Sequence, residues 1–231
     1  MISFSQLGNL GRLGNQMFQI AATESHANKV KTEAVFPEWQ YSQHFNHTFK
    51  HGMSYNQSFH EAQFQFQEIP VVDGLDLRGY FQSERYFDIE HVRNIFKFKE
   101  PHQKNDSCVI HVRLGDYLKL RDYYVELPKQ YYINAIAEIN PTKCIIVSDD
   151  IELAKKIFDW NTFEFFEGCE IETLKLMAAS KQVVMANSSF SWWGAWLSQG
   201  EVVCPQHWFT GRGSHNITTD LIPNHFKKIA W

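Results

Sequence analysis

The residues best suited to chemistry follow a short apolar run near the middle of the chain. The run Cys108-Val109-Ile110 is typical of a buried strand, and His111, Arg113 and Asp116 come after it at spacings of two and three residues. Polar residues at the carboxyl end of a parallel strand lie where open α/β sheets bind ligands. Arg113 would present a planar donor fork there to a phosphate or carboxylate. A surface Arg–Asp pair at a strand end explains the same spacing equally well.

Two further strand ends carry polar turns. Ser148-Asp149-Asp150 follows the apolar run that ends at Val147, and Asn187-Ser188-Ser189-Phe190 follows the run that ends at Ala186. An Asn-Ser-Ser turn that enters a helix offers an N-cap and backbone N–H groups for an anion. The adjacent carboxylates Asp149 and Asp150 suggest a metal site, but a helix cap and a partner for the helix dipole explain them better.

A glycine-rich turn near the N-terminus is a third candidate. It includes Gly8, Gly11 and Gly14 and lies between a predicted strand and a predicted helix. Such a turn aims backbone N–H groups at an anion above the helix N-terminus, although tight helix packing explains it as well. It matches neither the dinucleotide fingerprint nor the P-loop. Asn15 and Gln16 either cap the helix or face a ligand.

The second half of the chain alternates between strand and helix patterns. This alternation predicts a parallel, doubly wound α/β sheet with helices on both faces, Rossmann-like but without the dinucleotide fingerprint. We predict strands at 109–111, 144–147, 163–166, 183–186 and 201–204, and helices at 128–140, 151–158, 171–180 and 190–197.

The first half is less regular. We predict strands at 2–7 and 76–81, a helix over 17–29, and a helix over 83–98 with Ser83 as its N-cap. Residues 37–70 are rich in Gln, His, Asn and Phe without clear periodicity. We interpret them as an irregular insertion whose aromatics anchor a small core, with an acceptor groove as the alternative. The polar stretch 99–107 contains Pro101 and predicts the boundary between two halves.

Composition excludes several classes of protein. The net charge of −4 over 231 residues argues against nucleic-acid binding. The four cysteines form no CxxC pair, so a zinc site is not expected, and three of them are predicted to be buried thiols in a reducing compartment. The chain shows neither a signal-peptide pattern nor an apolar stretch long enough to span a bilayer, so we expect a cytoplasmic protein.

Several blocks, in order, resemble the family 11 glycosyltransferases, the bacterial-type α-1,2-fucosyltransferases. They are GRLGNQMFQIA at 11–21, GYFQSERYF at 79–87, HVRLGDY at 111–117, NSSFSWWGAWL at 187–197, and the tail segments VVCPQHWF and LIPNHFKKIAW. The likeness runs from residue 8 to the C-terminus. No single block is decisive, but their shared order makes coincidence a poor explanation.

The resemblance implies a GT-B-like α/β fold with two lobes. Residues 1–100 would form the acceptor-side lobe, and residues 101–231 the Rossmann-like lobe that binds the nucleotide sugar. It also implies GDP-fucose as the donor, inversion at the sugar carbon, a glycan hydroxyl as acceptor (the 2-hydroxyl of a galactoside), and no metal or other cofactor. A lipid-linked acceptor would bring the chain to a membrane surface without a transmembrane segment.

The resemblance also implies roles for individual residues. Arg113 would hold the diphosphate, and Asn15, beside Gly14, would face the same phosphates from the other lobe. The remaining donor-binding candidates are expected near the diphosphate and the nucleotide: Asp149, Asp150, Glu172, Asn187, Ser188, Ser189 and Phe190. A second arginine usual in the family motif is Leu114 here, which weakens the clamp unless another cation replaces it. A family aspartate that would read the guanine edge falls at Thr173, beside Glu172.

The chemistry follows from the bond that breaks. Cleaving a glycosyl–diphosphate bond builds negative charge on the leaving phosphate, which arginine and backbone donors must stabilise when no metal is present. The acceptor hydroxyl must lose a proton to Asp116, to His111 or to the leaving phosphate itself. Two alternatives remain open: transfer of another sugar from a different nucleotide, and an inactive homologue that only binds a nucleotide sugar.

Overall fold

The computed structural model describes residues 1–53, 55–158 and 162–231. It divides into two compact units. The first unit consists of Met1–Glu100 and Asn216–Pro223, and the second of Pro101–His215 and Asn224–Trp231. Among the helices of the described residues, none combines the length and the apolar character that crossing a bilayer requires.

The first unit is built on a parallel sheet. Its strands lie in the order β2-β1-β4-β3, where β1 is Ile2–Ser3, β2 is Ala34–Val35, β3 is Gln57–His60 and β4 is Leu75–Arg78. Helix α1, Leu13–Val30, follows the glycine-rich turn and contacts β1 and β2. Strand β1 is shorter than the strand predicted at 2–7. Strand β2 was not predicted, because a strand of two residues shows no periodicity in the sequence.

Among its described residues, the stretch 37–70 contains only β3 and a short 3-10 turn, in agreement with its irregular composition. Its aromatic residues anchor a small core, as predicted. Trp39 stacks on Phe45 with ring centroids 5.5 Å apart, and Phe45 stacks on Phe98 at 5.1 Å. The Trp39 indole N–H donates to Gln16 Oε1 at 2.9 Å, so this core is tied to helix α1.

The predicted helix over 83–98 is divided in two. Ser83 caps only a 3-10 turn, Glu84–Tyr86, by accepting a hydrogen bond from the Arg85 N–H. The chain is extended at Phe87, and helix α2, Ile89–Ile95, starts after Asp88, whose carboxylate accepts from the His91 N–H at 2.8 Å. A second N-cap residue inside the pattern thus starts a new helix.

The second unit is built on a six-stranded parallel sheet in the order β10-β9-β8-β5-β6-β7. The strands are β5 Asn105–Val112, β6 Cys144–Ser148, β7 Phe163–Phe165, β8 Ser180–Val184, β9 Glu201–Pro205 and β10 Lys227–Ile229. The helices are α3 Lys129–Ile139, α4 Ile151–Ile157, α5 Glu170–Ala179 and α6 Ser189–Ser198. The alternating pattern was therefore predicted correctly, and β10 is the one strand among the described residues of this unit that was missed.

Helices cover both faces of this sheet. Ile110 and Val112 of β5 face a core shared with Tyr131 of α3 and Ala154 of α4. His111, which points to the opposite face, lies beside Phe190 of α6. Helices α5 and α6 approach closely: a Cβ atom at Gly194 would lie 2.7 Å from the Met177 sulfur, so only glycine fits there.

Residues 216–223 belong to the first unit, whereas the sequence placed them in the second lobe. Their attachment is polar. The Phe66 N–H donates to Asp220 Oδ2 at 2.7 Å, and the Ser83 hydroxyl donates to the Asp220 carbonyl at 2.9 Å. Such contacts join residues more than 130 positions apart, which no local pattern reveals.

Cys108, Cys144 and Cys204 are buried free thiols, as predicted, and Cys169 is exposed.

Candidate functional site

Arg113, at the end of the central strand β5, is the centre of the candidate site. Its Nη2 donates to Asp116 Oδ1 at 2.6 Å, and its Nη1 lies 3.2 Å from Asp149 Oδ2. The guanidinium carbon lies 5.1 Å from the centre of the Tyr117 ring. The side chain is 12% exposed, and its Nε has no hydrogen-bond partner among the described residues. Arg113 thus contacts Asp116, Asp149 and Tyr117, and its Nε–H group makes no hydrogen bond to the described residues.

The two adjacent aspartates have different tasks. Asp150 caps α4 by accepting from the Leu153 N–H at 3.0 Å, as the sequence predicts. Asp149 instead accepts from the Leu114 N–H at 2.9 Å and pairs with Arg113. A Cβ atom at Gly115 would lie 2.3 Å from Asp149 Oδ2, so the loop requires glycine there. Asp149 therefore fixes both the loop and the arginine.

Leu114 occupies the position at which the motif usually has its second arginine. Its side chain is 7% exposed and belongs to the apolar core formed by β5, α3 and α4. An arginine at this position would have to place its charge in that core or turn away from it.

His111 is buried, and one of its two ring nitrogens has no hydrogen-bond partner among the described residues. It is 2% exposed, its ring lies 5.5 Å from that of Phe190, and its Nδ1 has no hydrogen-bond partner in the described part of the chain. Burial, reinforced by the charge of Arg113, lowers the pKa of His111 to about 3. The imidazole is therefore neutral near pH 7.

The turn at 187–190 starts helix α6 beside the Arg113 loop. The Tyr117 hydroxyl donates to the Asn187 carbonyl at 2.9 Å, which links the two strand ends. The Asn187 side-chain nitrogen donates to the carbonyls of Val125 and Trp208, so it holds two loops in place. Ser188 is the N-cap residue, but its side chain makes no capping hydrogen bond.

The beginning of α6 therefore has the features of an anion site. The first N–H groups of a helix lack intrahelical acceptors and carry partial positive charge. Here no side-chain cap from Ser188 occupies them, and Ser189 and Phe190 are half-buried. Together with Arg113, this places a cation and a helix N-terminus at the same edge of the sheet.

Tyr117 is a site residue that sequence reasoning missed. Its ring packs under Arg113, and it stacks on Tyr124 with centroids 4.1 Å apart. The available signal was its place at the end of the run CVIHVRLGDY, but an aromatic residue after a charged loop is not specific.

Glu172 lies in the first turn of α5 and belongs to a separate cluster. Its carboxylate pairs with Lys175 at 2.9 Å and with His102 at 3.2 Å. The hydrogen bond from Lys175 is the main cause of the lowered pKa of Glu172. The structure therefore engages this carboxylate with Lys175, beside the His102 ring, rather than with the Arg113 cluster.

Gly14 and Asn15 lie in the first unit. Gly14 is buried in the first turn of α1, and Asn15 Oδ1 accepts from Gln82 Nε2 at 2.8 Å. Gly11 has a φ of +79°, and a Cβ atom there would lie 2.2 Å from Asn15 Nδ2. The turn is thus tightly fitted around Asn15. No side-chain cap occupies the N-terminus of α1.

Within the described ranges, no three His, Cys, Asp or Glu side chains gather closely enough to hold a metal ion.

Two curated glycosyltransferases are similar in sequence to this chain. The protein is 34% identical over 163 residues to an alpha-1,2-colitosyltransferase of Escherichia coli, covering 57% of this chain and 55% of that protein. It is 34% identical over 131 residues to the O-antigen biosynthesis glycosyltransferase WbnK of Escherichia coli, covering 50% of this chain and 43% of WbnK. The chain thus spans about half the length of the curated relatives it matches.

A solved structure shares the fold. The crystal structure of the NodZ alpha-1,6-fucosyltransferase soaked with GDP-fucose superposes with a TM-score of 0.53, covering 85% of this chain and 92% of NodZ. At 12% identity this likeness concerns the fold alone, and it confirms the predicted α/β, GT-B-like class.

The glycosyl transferase family 11 model matches residues 15–207, and this range includes the Arg113 loop, both aspartates and the turn at 187–190. The chain belongs to glycosyl transferase family 11.

Proposed function

We propose that this protein transfers fucose from GDP-fucose to a glycan hydroxyl, the 2-hydroxyl of a galactoside, with inversion and without a metal ion. The observation that carries the proposal is the position of Arg113, which is held by Asp116, Asp149 and Tyr117 beside the start of α6. Family membership supports glycosyl transfer, and the shared fold with a fucosyltransferase is consistent with this donor.

The diphosphate would bind in the second unit, between the Arg113 guanidinium and the first N–H groups of α6. As the glycosyl bond lengthens, negative charge grows on the leaving phosphate, and both groups stabilise that charge. Because Asp149 and Tyr117 fix the arginine before the donor arrives, little reorganisation is needed during the reaction.

Asp116 is the stronger candidate for the general base. It is 39% exposed and lies next to Arg113. His111 is only 2% exposed, so its ring is poorly placed to take a proton from an acceptor hydroxyl. We assign proton abstraction to Asp116 and a packing role beside Phe190 to His111.

Transfer of colitose is the second candidate, because one of the curated relatives is named as a colitosyltransferase. Colitose is fucose without its 3-hydroxyl group. A site that hydrogen-bonds this hydroxyl would reject colitose strongly, whereas a site without such a partner would accept both sugars with modest preference.

Turnover with defined donors tests the proposal. We expect GDP release from GDP-fucose that accelerates when lactose is added, with a β-linked donor yielding an α-linked product. Turnover of GDP-colitose but not GDP-fucose would establish the second candidate. If GDP-fucose raises the melting temperature while neither donor turns over, the protein is a binding homologue and the proposed activity is wrong.

A further inference from the structure

The first unit contains a cavity away from the glycine-rich turn. Its volume is about 320 Å³, at the lower end of the range for small-ligand pockets, which begins at roughly 300 Å³. Ser25, His26 and Lys29 line it from α1. Ser25 lies 10 residues after Asn15, so it is about 15 Å further along the helix axis. The cavity is therefore distinct from that turn.

The cavity is lined by both polar and apolar groups, and most of its exposed side chains are charged. Ile69, Tyr86 and Phe87 are buried in the wall. The rim carries the exposed side chains Lys29, Glu68, Arg85 and Asp88. Two positive and two negative side chains balance each other, and Arg85 lies 3.6 Å from a further carboxylate, that of Asp220. This balance does not favour an anionic ligand.

His26 specifies the ligand further. It is 4% exposed, lines the cavity, and its ring hydrogen-bonds to the Pro70 carbonyl. Its Nε2 has no partner among the described residues, so the bond to Pro70 comes from Nδ1–H. Burial lowers the pKa of His26, so the ring is neutral and Nε2 is an acceptor. Such an acceptor requires a hydroxyl or N–H donor, which phosphate at neutral pH supplies poorly.

Aromatic carbons complete the wall. The Phe66 ring lies 4.8 Å from that of Tyr86, and the Arg85 guanidinium lies 4.2 Å from the Phe66 centroid. A neutral sugar carries hydroxyl groups, which can hydrogen-bond to the acceptors and donors of the cavity. It also has faces of C–H groups, which can pack against the aromatic rings.

From the cavity, its balanced rim and the unused His26 acceptor, we propose that this pocket binds a neutral hexose unit of a glycan, as a subsite distinct from the glycine-rich turn. This proposal rests on the proposed function in one respect: the bound hexose is taken to be part of the acceptor glycan.

Solution NMR on the intact protein tests this with galactose, glucose, N-acetylglucosamine and lactose as neutral probes and inorganic phosphate as the anionic probe. We expect at least one sugar to shift the amide resonances of Phe66 and Ile69 saturably, with a Kd at or below about 10 mM. The same sugar should shift the His26 Nε2 resonance, because the ring accepts a new hydrogen bond.

Two variants sharpen the result. Glu68→Ala removes an exposed rim acceptor and should weaken the sugar at least fivefold, whereas Glu38→Ala, an exposed glutamate outside the cavity, should leave binding unchanged. No shift with any of the four sugars, or saturable binding of phosphate instead, would overturn the proposal. Donor hydrolysis is measured separately, so a protein that turns over GDP-fucose but binds no sugar here contradicts the pocket alone.

Discussion

At the scale of the residue, one guanidinium dominates the candidate site. Arg113 stands where its family motif usually has two arginines, and its neighbour Leu114 is committed to the core. The pairs with Asp116 and Asp149 fix its position but also offset its charge. A diphosphate must therefore compete with these carboxylates, and the more exposed Asp116 is the easier of the two to displace.

We expect Arg113→Ala to lower turnover of GDP-fucose by about a hundredfold or more, because a donor that stabilises developing charge is lost. Arg113→Lys should be nearly as damaging, since it keeps the charge but not the planar fork. Arg121→Ala, which removes an exposed arginine paired with Glu126, is the control. A folded Arg113→Ala protein that keeps more than about a tenth of wild-type turnover would disprove the assignment.

Substitution of Asp116 by Asn separates the candidates for the base. If Asp116 takes the proton, transfer to lactose should fall by about two orders of magnitude or more, while the rise in melting temperature with GDP-fucose is retained. Asp122→Asn changes an exposed carboxylate of the same loop, paired with Arg212, and should have little effect. A loss smaller than about tenfold would instead assign the proton to the leaving phosphate.

At the scale of the element, helix ends are fixed by distant side chains. Lys104 precedes β5, and its ammonium donates to the carbonyls of Ala178 at 3.0 Å and Ser198 at 3.1 Å. These carbonyls lie at the carboxyl ends of α5 and α6, where a positive charge is favourable. One lysine thus joins the two helices that pack through Gly194.

Lys104→Met should lower the free energy of unfolding by about 0.5–1 kcal/mol, since it removes two charge-assisted hydrogen bonds but keeps the apolar stem. Urea denaturation measures this difference. Lys181→Met alters an exposed lysine 3.6 Å from Asp106 and should change stability less. Equal effects of the two substitutions would contradict the bridging role.

A half-buried carboxylate supports the turn after β4. Glu61 accepts from the N–H groups of Tyr80 and Phe81, at 2.7 and 3.0 Å, and Phe81 has a φ of +53°. Burial raises the pKa of Glu61 to about 7, against the effect of these hydrogen bonds. The folded protein therefore binds this proton more tightly than the unfolded chain.

Stability from Glu61 should consequently be fully present below about pH 4.5 and be lost as the pH rises through 7. In urea denaturation at pH 5 and pH 8, the wild-type protein should lose more stability on going to pH 8 than Glu61→Gln, by about 1–3 kcal/mol. Glu38→Gln serves as the control for an exposed glutamate. Parallel pH profiles for wild type and Glu61→Gln would show that the carboxyl titrates normally.

At the scale of the whole molecule, two parallel sheets form two units, and residues 216–223 return to the first. In the second unit, the groups proposed to bind the diphosphate are Arg113 and the N-terminus of α6. An arginine together with a helix N-terminus can stabilise the charge of a diphosphate without a metal ion.

We expect turnover of GDP-fucose to be unchanged by EDTA, because Arg113 and the N–H groups of α6 supply the positive charge. The measurement compares GDP release with and without chelator, alongside a metal-dependent glycosyltransferase that confirms chelation. Loss of turnover that manganese or magnesium restores would refute the proposed mechanism.

The sequence by itself determined the order and type of most elements. In the second unit, apolar runs alternate with amphipathic stretches, and this pattern is local. Of the strands and helices that the structure describes there, five of six strands and all four helices were predicted near their observed positions. The position of Arg113 at the sheet edge was also predicted from the sequence, because polar residues after a buried strand lie at the edge of a parallel sheet. The Asp150 cap was similarly visible as a local signal.

Only the tertiary structure decided which polar groups meet. Asp149 and Asp150 are chemically identical neighbours, yet one caps a helix and the other holds Arg113 from an adjacent strand. The Asn187 side-chain nitrogen binds the carbonyls of Val125 and Trp208, and the sequence did not reveal these partners. The attachment of Asp220 to Phe66 was equally invisible. Hydrogen bonds act over about 3 Å in space and carry no sequence period, so their partners become known only when the chain is folded.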